Sequence, residues 1–152
     1  MRPSPEPNHV ELVEAVKALA NFAYSNRFSG AGILKGLKVS RIVGLYGTAG
    51  RDWLWGVLGN ILDGEMLDAC LPFAPAVLVL DLHYRIGEDR SDEAFHRCNA
   101  QFLANCVMCA RMRHGWWSPR RYALVKTARK LRSELDEKGL DAWRSRGAVA
   151  VG

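Results

Sequence analysis

Cysteine and histidine residues occur in this sequence at spacings found in zinc sites. Cys106 and Cys109 form a Cys-x-x-Cys pair, His96 and Cys98 precede it, and His114 follows it. If this segment is one helix, four such ligands are spread over roughly 20 Å and cannot all reach one ion. Three of the cysteines then share a helical stripe with two apolar residues. That stripe is Cys98, Phe102, Cys106, Cys109 and Met112. The pattern favours packing in a hydrophobic core, and no metal is predicted.

A second polar group lies at the end of a predicted strand. Asp81, His83 and Arg85 alternate there with apolar residues. Alternate side chains of a strand point to one face, so a carboxylate, an imidazole and a guanidinium would lie side by side. Such a group could carry out acid–base chemistry on a phosphodiester. The alternatives are a strand end that is simply solvated on one side and an ion pair between Asp81 and Arg85.

A third pattern is an arginine followed, six positions later, by a histidine. The segment from Arg90 to His96 resembles the Arg-x(4–6)-His motif of the all-helical HEPN ribonucleases, over seven residues. The resemblance implies cleavage of RNA without a metal. A ribonuclease that uses His96 or His83 with Arg90 or Arg85 is therefore an alternative function. Phosphate-loop, serine-hydrolase and zinc-protease motifs are absent from the sequence, and neither catalytic residues nor a cofactor is predicted.

Positive charge is concentrated in the last third of the chain. The 152 residues include 21 Lys and Arg against 16 Asp and Glu, a net charge of +5. Residues 111–132 contain eight Lys and Arg and no carboxylate, with aromatic residues among them. Cations interleaved with aromatic side chains are typical of surfaces that bind nucleic acid. The predicted binding residues are Arg113, Trp116, Trp117, Arg120, Arg121, Lys126, Arg129 and Lys130.

The elements that must position these residues are predicted to be mainly helices in one globular domain. We expect a disordered tail over 1–8, the domain over 9–146 and a frayed tail over 147–152. Apolar periodicity predicts four longer helices. They run over about Val10–Arg27, Arg51–Leu62, Asp92–Met112 and Arg120–Lys138.

The clearest predicted strand is 76–85. Val77 to Leu80 form an uninterrupted apolar run, and the next five residues alternate between polar and apolar. This combination is typical of a strand that is buried at its start and half-exposed at its end. A strand needs a partner for its backbone hydrogen bonds, which either residues 38–46 or a second copy of the chain would supply. An oligomer through strand pairing is therefore possible.

The order of motifs before this strand is similar to that of a winged helix. Tyr46-Gly47-Thr48-Ala49-Gly50, a helix with Trp55-Gly56-Val57-Leu58-Gly59, and Leu71-Pro72 ahead of the strand resemble the DNA-binding domain of alkylguanine alkyltransferases and alkyltransferase-like proteins. The resemblance covers about 40 of the 152 residues and implies a winged-helix scaffold with 51–62 as its recognition helix. The Pro-Cys-His-Arg motif of alkyl transfer is absent. The predicted fold is α+β, mainly α: a winged-helix-like core, one strand over about 76–85 and a long basic C-terminal helix.

These observations predict a small basic nucleic-acid-binding protein without enzymatic activity, whose C-terminal helix contacts phosphates. A module that docks on an acidic partner protein is an alternative, in addition to the ribonuclease. No apolar run is long enough to cross a membrane, and the N-terminus has no apolar signal region. We therefore expect no membrane partner and a cytoplasmic location.

Overall fold

The computed structural model describes residues 9–46 and 61–145, and every regular element in these two ranges is a helix. The α-helices are α1 (His9–Ser25), α2 (Val39–Tyr46), α3 (Gly64–Ala69), α4 (Ala74–Ile86), α5 (Asp92–Arg113), α6 (Pro119–Lys138) and α7 (Leu140–Arg144). Short 3-10 helices lie at Ala31–Leu34 and Leu71–Phe73. The tails predicted over 1–8 and 147–152 lie outside the described residues.

The segment predicted as a strand is helix α4, so the predicted α+β fold is wrong. Eight of the 13 residues of α4 are buried, and they include the five consecutive residues from Ala76 to Leu80. A helix that is enclosed by other elements needs apolar residues all round, which produces the same uninterrupted run as a buried strand. Pro75 lies in the first turn of α4, where its fixed backbone angle favours the helix.

The winged-helix core is likewise absent from the described residues. Residues 39–46, within the predicted strand partner, form α2 instead. Without a strand in 9–46 or 61–145, strand pairing offers no route to an oligomer through this part of the molecule. The recognition helix expected over 51–62 and the turn over 47–50 lie almost entirely outside the described residues.

Helices α5 and α6 form an antiparallel hairpin, which is the most extensive helix–helix contact described. Ser91 caps α5, because its Oγ accepts a hydrogen bond from the backbone N–H of Ala94 at 3.1 Å. The buried Asn99 of α5 donates to Asp136 of α6 at 2.9 Å and accepts from the hydroxyl of Tyr84 at 2.9 Å. One amide therefore joins α4, α5 and α6.

Helix α1 packs on α4 and also contacts α2. The side chain of Asn105, on α5, pairs with the backbone of Ser29 in the loop after α1. It accepts from the Ser29 N–H at 2.7 Å and donates to the Ser29 carbonyl at 2.9 Å. This pair ties the N-terminal part of the chain to the hairpin.

Arg90 connects the C-terminal end of α4 to α7. Its Nη1 donates to the carbonyls of His83 and Gly87 at 2.8 and 3.3 Å. Its Nη2 donates to the carbonyls of Tyr84, at 2.8 Å, and of Trp143. The guanidinium also lies 3.9 Å from the ring centroid of Trp143. All four terminal N–H groups are thus used, and three of the acceptors, the carbonyls of His83, Tyr84 and Trp143, lie in the last turns of α4 and α7.

Candidate nucleic-acid interface

The two predicted tryptophans lie at the corner of the turn that joins α5 to α6. The N–H of Ser118 donates to the carbonyl of Gly115 at 2.9 Å, which closes a β-turn with Trp116 and Trp117 at its central positions. Trp116 is 74% exposed and Trp117 is 73% exposed, so neither ring is buried between the two helices.

Gly115 sets the position of one of these rings. A Cβ atom at Gly115 would lie 2.8 Å from Nε1 of Trp117, closer than van der Waals contact allows. The indole of Trp117 therefore lies directly against the backbone of the glycine. This role of Gly115 cannot be predicted from the sequence, because only the position of the Trp117 ring in space reveals it.

The first turn of α6 carries charges of the unfavourable sign for a helix N-terminus. Ser118 caps the helix, its Oγ accepting from the N–H of Arg120 at 3.3 Å, and Pro119 occupies the first turn. Acidic residues are preferred near this positive end of the helix dipole, yet the first turn has none and carries Arg120 and Arg121. Residues that go against such a local preference, with no compensating structural contact, are typical of functional sites.

The outward face of α6 continues this positive surface. Ala128, Leu131 and Leu135 are buried on its inward stripe, and Leu124 and Val125 are half-buried there. The opposite face consists of exposed residues at positions i, i+4, i+7 and i+8. These are Tyr122, Lys126, Arg129 and Lys130.

Carboxylates are kept away from these cations. The ion pairs of α6 lie in its second half, where Arg132 pairs with Asp136 at 3.3 Å and Lys138 with Glu134 at 2.7 Å. Among the described residues, no carboxylate lies within 4.0 Å of any of the six cations predicted for the site. We call this surface, Arg113, Trp116, Trp117, Arg120, Arg121, Tyr122, Lys126, Arg129 and Lys130, the basic–aromatic surface.

The eight predicted binding residues therefore lie at the end of α5, at the turn or along α6. Seven of them are exposed, and Arg121 is half-exposed. The nearby Met112, predicted for the buried cysteine stripe, is instead 47% exposed. Met112 lies in the last turn of α5, beyond the buried part of the stripe.

The cysteines pack in the interior, as expected. Cys70, Cys98, Cys106 and Cys109 are free thiols and all four are buried. Burial raises the pKa of Cys70 and of Cys98 to about 12 and that of Cys109 to about 11. Within the two described ranges, no three His, Cys, Asp or Glu side chains are grouped so that they could hold a metal ion.

We expect these thiols to be inert in the folded protein, because only the exposed thiolate reacts. A colorimetric disulfide reagent at pH 8 should modify none of the four cysteines in native protein within minutes. It should modify all four after unfolding in guanidinium chloride. Rapid modification of one cysteine without denaturant would contradict the buried arrangement.

Asp81, His83 and Arg85 do not form the predicted joint site. On a helix, residues two positions apart lie on different faces. Arg85 Nε donates to Oδ2 of the buried Asp81 at 3.2 Å, so the ion-pair alternative is the one observed. His83 Nε2 lies 2.8 Å from the carbonyl oxygen of Gly30, and burial lowers the pKa of the imidazole.

Arg90 and His96 have separate surroundings as well. Arg90 uses its terminal N–H groups on backbone carbonyls, which leaves none of them for a phosphate. The exposed His96 lies 3.4 Å from Asp136. The arrangement makes Arg90 a structural residue and gives no support to a ribonuclease site at this motif.

Comparison with protein-family models, with curated proteins and with solved structures found no match to this chain. None of the helices described in 9–46 and 61–145 has both the length and the apolar character needed to span a bilayer. The functional interpretation therefore depends on the residues themselves.

Proposed function

We propose that this protein binds nucleic acid, without enzymatic activity, through the basic–aromatic surface. The observation that carries the proposal is the combination of six cations that have no carboxylate near them among the described residues with three exposed aromatic side chains. Unpaired cations on one face attract a polyanion, and phosphate contacts provide most of its affinity.

The spacing of the cations along α6 supports contact with a phosphate backbone rather than with a small anion. Arg120 and Lys130 are ten residues apart, which corresponds to about 15 Å along the helix axis. A single phosphate group can reach only part of such a stripe. An extended polyanion can contact all of it.

A titration followed by fluorescence anisotropy tests the proposal. Labelled DNA or RNA should bind at low salt. If all six cations contact phosphates, the association constant for a duplex should fall about 10³-fold between roughly 50 and 200 mM salt. The absence of binding to any nucleic acid at low salt would disprove the proposal.

A protein-docking module is the second candidate, and an apolar groove favours it. The groove has a volume of about 410 Å³ and lies next to the basic–aromatic surface. Phe22, Leu71 and Met112, each more than a third exposed, are in its lining together with Arg113. An acidic partner with an apolar segment would fit there, and its affinity would depend less on salt because an apolar contact is not screened.

A further inference from the structure

We infer that the strand bound by this protein is unpaired, and that Trp116, Trp117 and Tyr122 stack on its bases. The inference rests on the proposed function and specifies its ligand. It depends on the exposure of the three rings, on the cations that lie beside them, and on the inaccessibility of base faces in a duplex.

The two exposed tryptophans lie on a short turn between two long helices. Their turn is closed by the bond from the Ser118 N–H to the Gly115 carbonyl, and helices begin or end within three residues on either side. The ring of Trp117 lies against Gly115. A ring that is already positioned loses little conformational freedom when a base stacks on it.

The exposure of these rings has no structural explanation in the described part of the chain. Trp116, Trp117 and Tyr122 are 74%, 73% and 65% exposed, whereas Trp143 is only 2% exposed. Large aromatic side chains are usually mostly buried, and exposed ones mark interaction sites. The fold thus leaves three aromatic faces open beside cations.

An unpaired strand suits these faces better than a duplex does. The bases of a duplex are stacked on each other, so their faces are not accessible to a side chain. Unpaired bases of any sequence can stack on an aromatic ring while cations track the backbone. Tyr122 shares the outward face of α6 with Lys126 and Arg129, so one strand could pass from the turn along the helix.

A membrane surface fits this geometry less well. The tryptophans lie at one end of the hairpin, and Lys130 is 11 residues along α6 from Pro119, about 16 Å from that end. A flat bilayer that contacts the tryptophans at the turn would not reach the cations along the side of α6. A flexible strand can contact both.

The test compares labelled 20-nucleotide oligo-dT and oligo-U with a 20-base-pair hairpin duplex, using the full chain. We expect wild-type protein to prefer the single strands. Trp116→Ala/Trp117→Ala should weaken single-strand binding about 5- to 150-fold for each stack lost, with little change for the duplex. Gly115→Ala should weaken it as well, because both tryptophans remain but the ring of Trp117 must move.

Tyr24→Ala is the matched control, since Tyr24 is 53% exposed on α1 outside the basic–aromatic surface, and it should bind like wild type. Equal affinity for single strands and duplex, or unchanged single-strand binding by the double tryptophan variant, would overturn the inference and leave the proposed function intact. Failure of every nucleic acid to bind would overturn both. Vesicles of phosphatidylcholine and phosphatidylglycerol form the last arm. Tryptophan-dependent vesicle binding with unchanged nucleic-acid binding would overturn the inference in favour of a membrane surface.

Discussion

Replacement of Arg129 and Lys130 by glutamate is expected to abolish nucleic-acid binding at physiological salt. Both side chains are exposed in the middle of the outward face of α6, so the variant places two negative charges where a phosphate backbone would lie. Each reversal removes one favourable contact and adds a repulsive one. The melting curve should not change, because neither residue packs in the core or forms an ion pair among the described residues.

Lys35→Glu/Lys38→Glu provides the matched control for that experiment. It changes the net charge by the same amount at two exposed positions between the first 3-10 helix and α2. We expect it to weaken binding only slightly, through the overall charge of the protein. Equal losses in the two variants would show that net charge, rather than the basic–aromatic surface, determines binding.

Replacement of Arg90 by methionine is expected to destabilise the fold by about 3–5 kcal/mol, because four carbonyls, two of them on the buried Tyr84 and Trp143, lose a charged donor at once. Methionine keeps much of the length and apolar surface of the side chain, so the loss is mainly one of hydrogen bonds and of the contact with Trp143. In a protein of this size the melting temperature should fall by roughly 6–20 °C. Urea unfolding followed by circular dichroism measures the change.

Arg97→Met is the comparison for Arg90. Arg97 pairs with Asp89 at 3.2 Å, and both side chains are more than half exposed. Exposed pairs of this kind contribute about 0–1 kcal/mol, so its variant should unfold almost like wild type. A similarly small effect for Arg90→Met would disprove the role of Arg90 in holding the carbonyls at the ends of α4 and α7. The Arg90 guanidinium would then be available to contact a phosphate.

The basic–aromatic surface could be predicted because its signals are local. The eight cations of 111–132 have no carboxylate in that stretch to pair with, so the sequence predicts that they are solvated. Pro119 after Ser118 marks the start of a helix. The inward stripe of α6 then determines which of its cations face outward. These features depend on neighbours in sequence and not on the rest of the fold.

The fold class could not be predicted, because the sequence pattern of α4 fits a buried helix and a buried strand equally well. The run from Val77 to Leu80 indicates only that its surroundings are apolar, and these are other helices, among them the neighbouring α5 and the distant α1. The alternation from Asp81 to Arg85 has a different origin. Asp81 is buried against Arg85 one helical turn later, and His83 bonds to the loop after α1. The His83 contact joins residues 53 positions apart and leaves no local trace, whereas Asp81 and Arg85, four positions apart, have a spacing that fits a helix.

The burial of α4 also has a consequence for the order of events during synthesis. The helix ends at Ile86, whereas the residues that close over its far end extend to Trp143 in α7. At about 5–20 residues per second, the ribosome needs roughly 3–12 s to add the 58 residues from the end of α4 to the end of α7. Throughout that interval the end of α4 that packs on Trp143 lacks this contact. We therefore expect chaperones to recognise this apolar end of the nascent helix before the chain is released.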